Sequence, residues 1–368
     1  MRRSNLLRST NNSERLGEHG GNVKRLVERL GINTDDLLDF SSNINPYGPP
    51  EGVITAITRS IDTIRDYPEQ RAESFVMAVA EALWVKEEHV VAGNGSSELI
   101  YLLPQVFKAN KALLVVPSFT EYELSLRKSG ADITYRGALS AEDALWAIRD
   151  VPRDIGIVML GTPNNPCGYR LDRDSLLEII DMHTSCLWVI DEAFIDFVSD
   201  RHEVSLTRDS INRDNLIVLR SLTKIYGIAG LRLGYMVASP GIAARIREEK
   251  YPWSVNAMAL AAGVEVLKDN NFIGWSVHLL IAEARRLYEE ISRIDGLVAY
   301  EPAANYILVK IEREMPSSRL QEELLRRGMA VRDCSSYTGM DDRHFRVAVK
   351  RPEDNDRLLD ALRDVFNR

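Results

Sequence analysis

Five short apolar runs, at 89–92, 112–116, 155–160, 187–190 and 216–219, constrain this chain more than anything else in it. Each stops at a glycine, proline, aspartate or arginine. A run that is apolar throughout, rather than alternating, predicts a strand buried on both faces. Strands of that kind separated by helical stretches predict βαβ units and a mainly parallel sheet, an α/β fold. In such sheets ligands sit outside the carboxyl ends of the strands, so those ends are where chemistry should be sought. After Tyr251-Pro252-Trp253 the pattern changes. A small-residue helix at 256–268 precedes a long charged helix at about 271–293. A strand at 305–311, a helix at 317–327, a strand at 345–349 and a helix from Pro352 follow. That tail predicts a smaller α+β domain, and a chain of 368 residues has room for two. The expected division is an N-terminal arm 1–50, ending in the proline-rich Asn45-Pro46-Tyr47-Gly48-Pro49-Pro50, a large domain 51–255 and a small domain 256–368.

Charge narrows the partners. Lys and Arg number 46 against 54 Asp and Glu, a net −8, which argues against a general nucleic-acid binder. A small anionic substrate is still allowed, because a pocket can be basic on an acidic protein. No apolar run approaches the ~18 residues that span a bilayer, so no membrane partner is expected. Residues 1–18 are polar and lack a signal core, which leads to the expectation of a cytoplasmic protein. Cys167, Cys186 and Cys334 are too few and too scattered for a disulfide framework, and no CxxC or HxxxH spacing suggests a metal.

The unusual residues gather at the expected strand ends. Gly93-Asn94-Gly95-Ser96-Ser97-Glu98 follows the first run and opens a helix; free amides there favour a phosphate, although Ser96 or Ser97 would also serve as an ordinary N-cap. Gly161-Thr162-Pro163-Asn164-Asn165-Pro166-Cys167-Gly168 follows the third, either as a plain turn or as a fixed side-chain donor. Asp191-Glu192-Ala193-Phe194 follows the fourth, and a carboxylate there either caps a turn or pairs with a cation. Arg220-Ser221-Leu222-Thr223-Lys224 and Gly230-Leu231-Arg232-Leu233-Gly234-Tyr235 follow the fifth, placing a hydroxyl, an amine and a guanidinium around one strand end. Arg346 lies in an apolar strand on the face opposite Phe345 and Val347, where it needs a structural carboxylate or a substrate carboxylate. One ligand would satisfy them all: it carries a phosphate, an aromatic ring nitrogen, a phenolic oxygen and an aldehyde, as pyridoxal 5′-phosphate does.

The order TPNNPCG, DEAF, SLTK, GLRLGY resembles the fold-type-I pyridoxal-phosphate enzymes, the aspartate aminotransferase superfamily. The match narrows to the histidinol-phosphate aminotransferase branch and, within it, to decarboxylases of O-phospho-L-threonine that serve cobalamin synthesis. Its most specific pieces are His19-Gly20-Gly21-Asn22, Tyr251-Pro252-Trp253-Ser254-Val255-Asn256-Ala257, Ala304-Asn305-Tyr306-Ile307-Leu308 and Val331-Arg332-Asp333-Cys334-Ser335-Ser336-Tyr337. The resemblance implies a large domain whose mainly parallel seven-stranded sheet lies between helices, a smaller α+β C-terminal domain, and a homodimer with shared active sites.

By the same resemblance, Lys224 would carry the cofactor and move protons, and Asp191 would pair with the pyridinium nitrogen. Asn165 would donate to the phenolic oxygen and Phe119 would stack on the ring. Gly95, Ser96, Ser97, Ser221 and Arg232 would hold the phosphate, with Tyr67 donated by a partner subunit. Arg346 would hold the substrate carboxylate, and His19, Arg332 and nearby Asn43 the substrate's own phosphate. Three residues depart from the wider pattern: Phe194 in place of a tyrosine, Cys167 in place of a threonine, and the Ser96-Ser97 pair. The expected activity is decarboxylation of O-phospho-L-threonine. The alternatives are an aminotransferase of histidinol phosphate or a similar compound, and a binding protein that has lost catalysis.

Overall fold

In the computed structural model, which describes residues 37–367, a two-residue strand β1 (Leu38–Asp39) begins an extended arm that leads to the large sheet. That sheet comprises β2 (Val90–Asn94), β3 (Lys111–Val116), β4 (Asp132–Gly137), β5 (Ile157–Gly161), β6 (Leu187–Asp191), β7 (Leu216–Ser221) and β8 (Leu233–Ala238), in the order β2-β8-β7-β6-β5-β3-β4. Strands β3 to β7 run parallel, and β8 is antiparallel to both neighbours. The uninterrupted apolar runs have the expected cause. Ala112, Leu114 and Val116 pack into one apolar cluster while Leu113 and Val115 pack into another, and β6 and β7 divide the same way. Both faces are covered by helices, so neither face needs polar residues.

Two strands escape the apolar-run criterion. Edge strand β4 leaves Asp132, Thr134 and Gly137 exposed, so its composition is mixed. Strand β8 starts inside the segment read as a ligand motif, at Leu233, and runs three residues past it.

The C-terminal part holds β9 (Leu297–Ala299), β10 (Tyr306–Ile311), β11 (Met329–Ala330), β12 (Arg332–Asp333) and β13 (His344–Ala348). An antiparallel sheet forms in the order β12-β13-β10-β9, while β11 pairs in parallel with β1 of the arm. Ile307, Val309, Phe345 and Val347 pack into a core shared with the helices Asn270–Ser292 and Pro352–Phe366. Arg346, alternate to Phe345 and Val347, therefore lies on the other face, opposite Leu308 and Arg332. The first of those helices is started by Asp269, whose Oδ1 accepts from the amides of Asn271 and Phe272. Among the described residues no helix is long and apolar enough to cross a membrane.

The arm ties the two parts together. Phe40 O accepts from Ala348 N at 2.8 Å beside β13, and Asn45 N donates to Lys224 O at 2.9 Å. The Asn45 side chain continues the link with bonds to Ile225 O and Ser276 Oγ.

Candidate active site

Because β2, β3, β5, β6 and β7 share one direction, their carboxyl ends meet at a single edge of the sheet. Strand β8 runs oppositely, so Arg232, immediately before it, arrives at the same edge. The order of connection reverses between β3 and β5, which is where open α/β sheets leave a crevice. Phe119 follows β3 and Asn165 follows β5, one on each side of that crevice.

The phosphate-binding expectation falls on the start of helix Gly95–Phe107. The helix begins at Gly95 with Asn94 at the cap position and no capping side chain. Neither Ser96 nor Ser97 is therefore an N-cap; both lie in the first turn, where amides have no intrahelical acceptor. Close approach explains the glycines. Gly95 has φ +71, and a Cβ on it would lie 2.7 Å from Arg232 Nη2. A Cβ on Gly234 would lie 2.6 Å from Ser96 N and 2.8 Å from Arg220 O, both backbone atoms. Ser221 Oγ is buried beside this turn, bonded to Thr223 Oγ1 at 2.8 Å. Helix start, hydroxyls and guanidinium could together hold a doubly charged anion.

Lys224 Nζ lies 3.1 Å from Ser221 Oγ and 5.8 Å from the centre of the Phe194 ring. Burial drives its pKa down from 10.5 to about 8; the Asp191 carboxylate opposes this and Arg232 adds to it. Asp191, at the end of β6, is buried and bonded twice: Oδ1 accepts from Ala193 N at 2.9 Å and Oδ2 from Tyr122 Oη at 2.7 Å. It caps a turn and also faces a cation. Burial raises its pKa, while Lys224, Tyr122 and Ala193 pull it back. Beneath it, Glu192 accepts from Ser205 Oγ and Leu206 N, and Arg220 donates to Asp196 at 2.6 Å, fixing the DEAF turn to β7.

The small sheet closes the site from above. Arg346 donates to Asn165 Oδ1, to Tyr337 Oη at 3.4 Å and to Ser41 O at 2.9 Å, while its buried Nε has no partner. Asn165 Oδ1 also accepts from Tyr337 Oη at 3.3 Å, leaving Nδ2 as its donor. Arg332 is the direct cross-strand partner of Arg346; its Nη2 bonds Ser336 Oγ at 2.9 Å and its guanidinium lies over the Tyr337 ring. Asn43 is buried, and its Oδ1 has no donor. The orphaned Nε of Arg346 and the guanidinium of its cross-strand neighbour Arg332 are donors that suit an anionic ligand.

Thus Gly95, Ser96, Ser97, Phe119, Asn165, Asp191, Ser221, Lys224, Arg232, Asn43, Arg332 and Arg346 lie along the strand-end edge and the small-sheet face above it. Tyr67 does not join them: it is 85% exposed on the loop after residue 65. His19 lies outside the described residues. Sequence reasoning missed Tyr122, which holds Asp191, and the roles of Ser336 and Tyr337. Spacing within βαβ units could have pointed to Tyr122, because it sits one helical turn after Phe119.

With the geometry in place, comparison with known proteins is informative. The family profile "Aminotransferase class I and II" matches residues 35–362. The chain is 39% identical to threonine-phosphate decarboxylase of Salmonella typhimurium, over 95% of this chain and 96% of that protein. It is 33% identical to an adenosylcobalamin biosynthesis bifunctional protein of Leptospira interrogans, over 95% of this chain and 41% of the other. Among solved structures, the histidinol-phosphate aminotransferase of Clostridium acetobutylicum superposes with a TM-score of 0.82 at 31% identity, covering 90% of this chain and 99% of that one. The chain belongs to the class I and II aminotransferase family and has its fold-type-I architecture.

Proposed function

We propose that the protein is a pyridoxal-phosphate-dependent decarboxylase that converts O-phospho-L-threonine to (R)-1-aminopropan-2-yl phosphate for cobalamin synthesis. The donor set fits the cofactor: an anion cradle at Gly95, Ser96, Ser97, Ser221 and Arg232, a buried carboxylate at Asp191 for the ring nitrogen, and an amine at Lys224 whose pKa burial lowers to about 8. Bound there, the cofactor supplies an electron sink for a bond to the substrate's α-carbon. The protein's part is orientation. Asp191, bonded by Tyr122, stays able to pair with a cationic nitrogen. Lys224 takes and returns protons beside Ser221. Arg346 binds the carboxylate, and Arg332 with Ser336 and the amide nitrogen of Asn43 binds the distal phosphate.

The observation that carries this reading is the cross-strand pairing of Arg332 with Arg346. Two guanidiniums on one face suit a substrate with a carboxylate at one end and a phosphate at the other. Gripping both ends turns the molecule about its α-carbon and selects which bond is aligned to break. A buried, charge-assisted phosphate contact is worth about 1.5–3 kcal/mol, so Arg332→Ala should lower kcat/KM at least about tenfold. Carbon dioxide release from O-phospho-threonine tests the reaction. Full conversion of the cofactor to its amine form without carbon dioxide would replace the decarboxylase reading with that of an aminotransferase of a phosphorylated substrate.

The same reading makes the protein a homodimer with shared sites. Ile64, Tyr67 and Tyr251 are 67%, 85% and 81% exposed, an amount of bare apolar and aromatic surface that a partner subunit would cover. Tyr67 would then reach the partner's cofactor phosphate. Sedimentation as a fully active monomer would refute the arrangement.

A further inference from the structure

The segment Tyr251-Pro252-Trp253-Ser254 takes no part in the site of its own chain, yet its conformation is tightly specified. Trp253 has φ +57, a left-handed conformation that bulky side chains avoid. Its amide donates to Gln70 O at 3.0 Å, which ties it to the end of the loop that carries Tyr67. Its ring, 46% exposed, meets the Tyr67 ring at 5.2 Å between centroids and 36° between planes. Among the described residues that is the one ring Tyr67 meets, and its hydroxyl makes no hydrogen bond there. An exposed tyrosine with no other hold would sample several rotamers and pay to be ordered on reaching a ligand.

The other end of the segment is anchored. Lys250 Nζ donates to Ser254 Oγ, which donates to Glu98 Oε2 at 3.0 Å. Glu98 Oε2 also accepts from Asn94 N at 2.6 Å, at the start of the helix whose first turn forms the anion cradle. Lys250 and Glu98 face each other at 3.5 Å with little exposure. The segment is thus a bracket, fixed at one end to the start of the helix Gly95–Phe107 and packed at the other against the exposed Tyr67 ring.

We infer that Trp253 is a positioning residue for Tyr67, holding its phenol ready for the cofactor phosphate of the partner subunit; this rests on the shared-site homodimer proposed above. In its left-handed conformation Trp253 lays the indole against the Tyr67 ring while its amide closes the loop at Gln70. Tyr67 supplies the hydroxyl, and Trp253 supplies the order.

The test measures pyridoxal-phosphate affinity of the dimer by equilibrium dialysis for Tyr67→Phe, Trp253→Ala, Trp253→Phe and the double variant Tyr67→Phe/Trp253→Ala, with the dimer checked by sedimentation. Loss of one hydrogen bond to a phosphate should weaken binding about tenfold in Tyr67→Phe. Trp253→Ala should weaken it by a similar factor with the dimer intact, and the double variant should be no weaker than the worse single, because both remove one interaction. Trp253→Phe should restore most of the affinity, since a ring face suffices to hold Tyr67. Wild-type affinity in Trp253→Ala beside a weakened Tyr67→Phe, or factors that multiply in the double variant, would overturn the inference and leave the shared site standing. Unchanged affinity in Tyr67→Phe would bring down the shared-site reading, and the inference with it.

Discussion

Lys224 is held between opposing influences that can be separated by one substitution. Burial is the main cause of its pKa falling from 10.5 to about 8, the Asp191 carboxylate resists the fall, and Arg232 deepens it. At pH 7 about one side chain in ten is then the neutral amine, against about one in three thousand at the ordinary value. Asp191→Asn removes the resisting charge, so the midpoint must move below about 8. Lys224 becomes a more reactive amine in that variant even as cofactor binding fails. Competitive acetylation of the cofactor-stripped protein from neutral to strongly alkaline pH, read by mass spectrometry of the Lys224 peptide, reports the midpoint directly. Stability should follow the same titration. Between about 8 and 10.5 the unfolded chain binds a proton at Lys224 that the folded chain does not, so the stripped protein gains stability as pH rises through that window. Below the window it bears the full cost of a buried ammonium. A wild-type midpoint near 10.5, or an upward shift in Asp191→Asn, would refute the reasoning.

Tyr122→Phe deletes the donor 2.7 Å from Asp191 Oδ2, a buried charge-assisted bond worth about 1.5–3 kcal/mol, so kcat should fall about ten- to a hundredfold. The carboxyl is then easier to protonate, and the acidic limb of the kcat profile should move to higher pH; an unmoved limb would show that Tyr122 is only packing. Gly234→Ala places a methyl 2.6 Å from Ser96 N, which cannot swing aside as a side chain could. Its cofactor affinity should drop by at least about tenfold, the equivalent of one lost hydrogen bond, and dialysis that finds the cofactor bound as tightly as in wild type would contradict the cradle assignment.

Much of the fold was legible because burial on both faces leaves a strong local mark. The central strands β3, β5, β6 and β7 cannot afford polar residues, and the runs at 112–116, 155–160, 187–190 and 216–219 lie within two residues of them. Edge strand β4 has an exposed side and no such mark. The site divides along the same line. Asp191, Ser221 and Lys224 stand at strand ends, where local order reveals them. Tyr122 is 69 residues from Asp191 and Arg346 is 181 from Asn165, separations that no window of the sequence spans. The cross-strand neighbourhood of Arg332 and Arg346 depends on how β12 meets β13, which emerges only when the sheet is assembled. Ser96 and Ser97 are ambiguous for a different reason: a helix start two or three residues earlier converts a cap into a first-turn residue.

The arm that hydrogen-bonds both Ala348 and Lys224 has a practical consequence. Residues 38–45 lie against β13 on one side and the Lys224 loop on the other, with Ser41 O bonded to Arg346. A protease must peel this stretch away before it can cut there, and peeling it frees the Arg346 side chain from the Ser41 carbonyl and the Lys224 backbone carbonyl from Asn45 N. A molecule that binds only while the arm is in place therefore raises the free energy of peeling in proportion to its binding. The rate at which the arm is nicked becomes a direct gauge of site occupancy, usable with substrate analogues that never turn over.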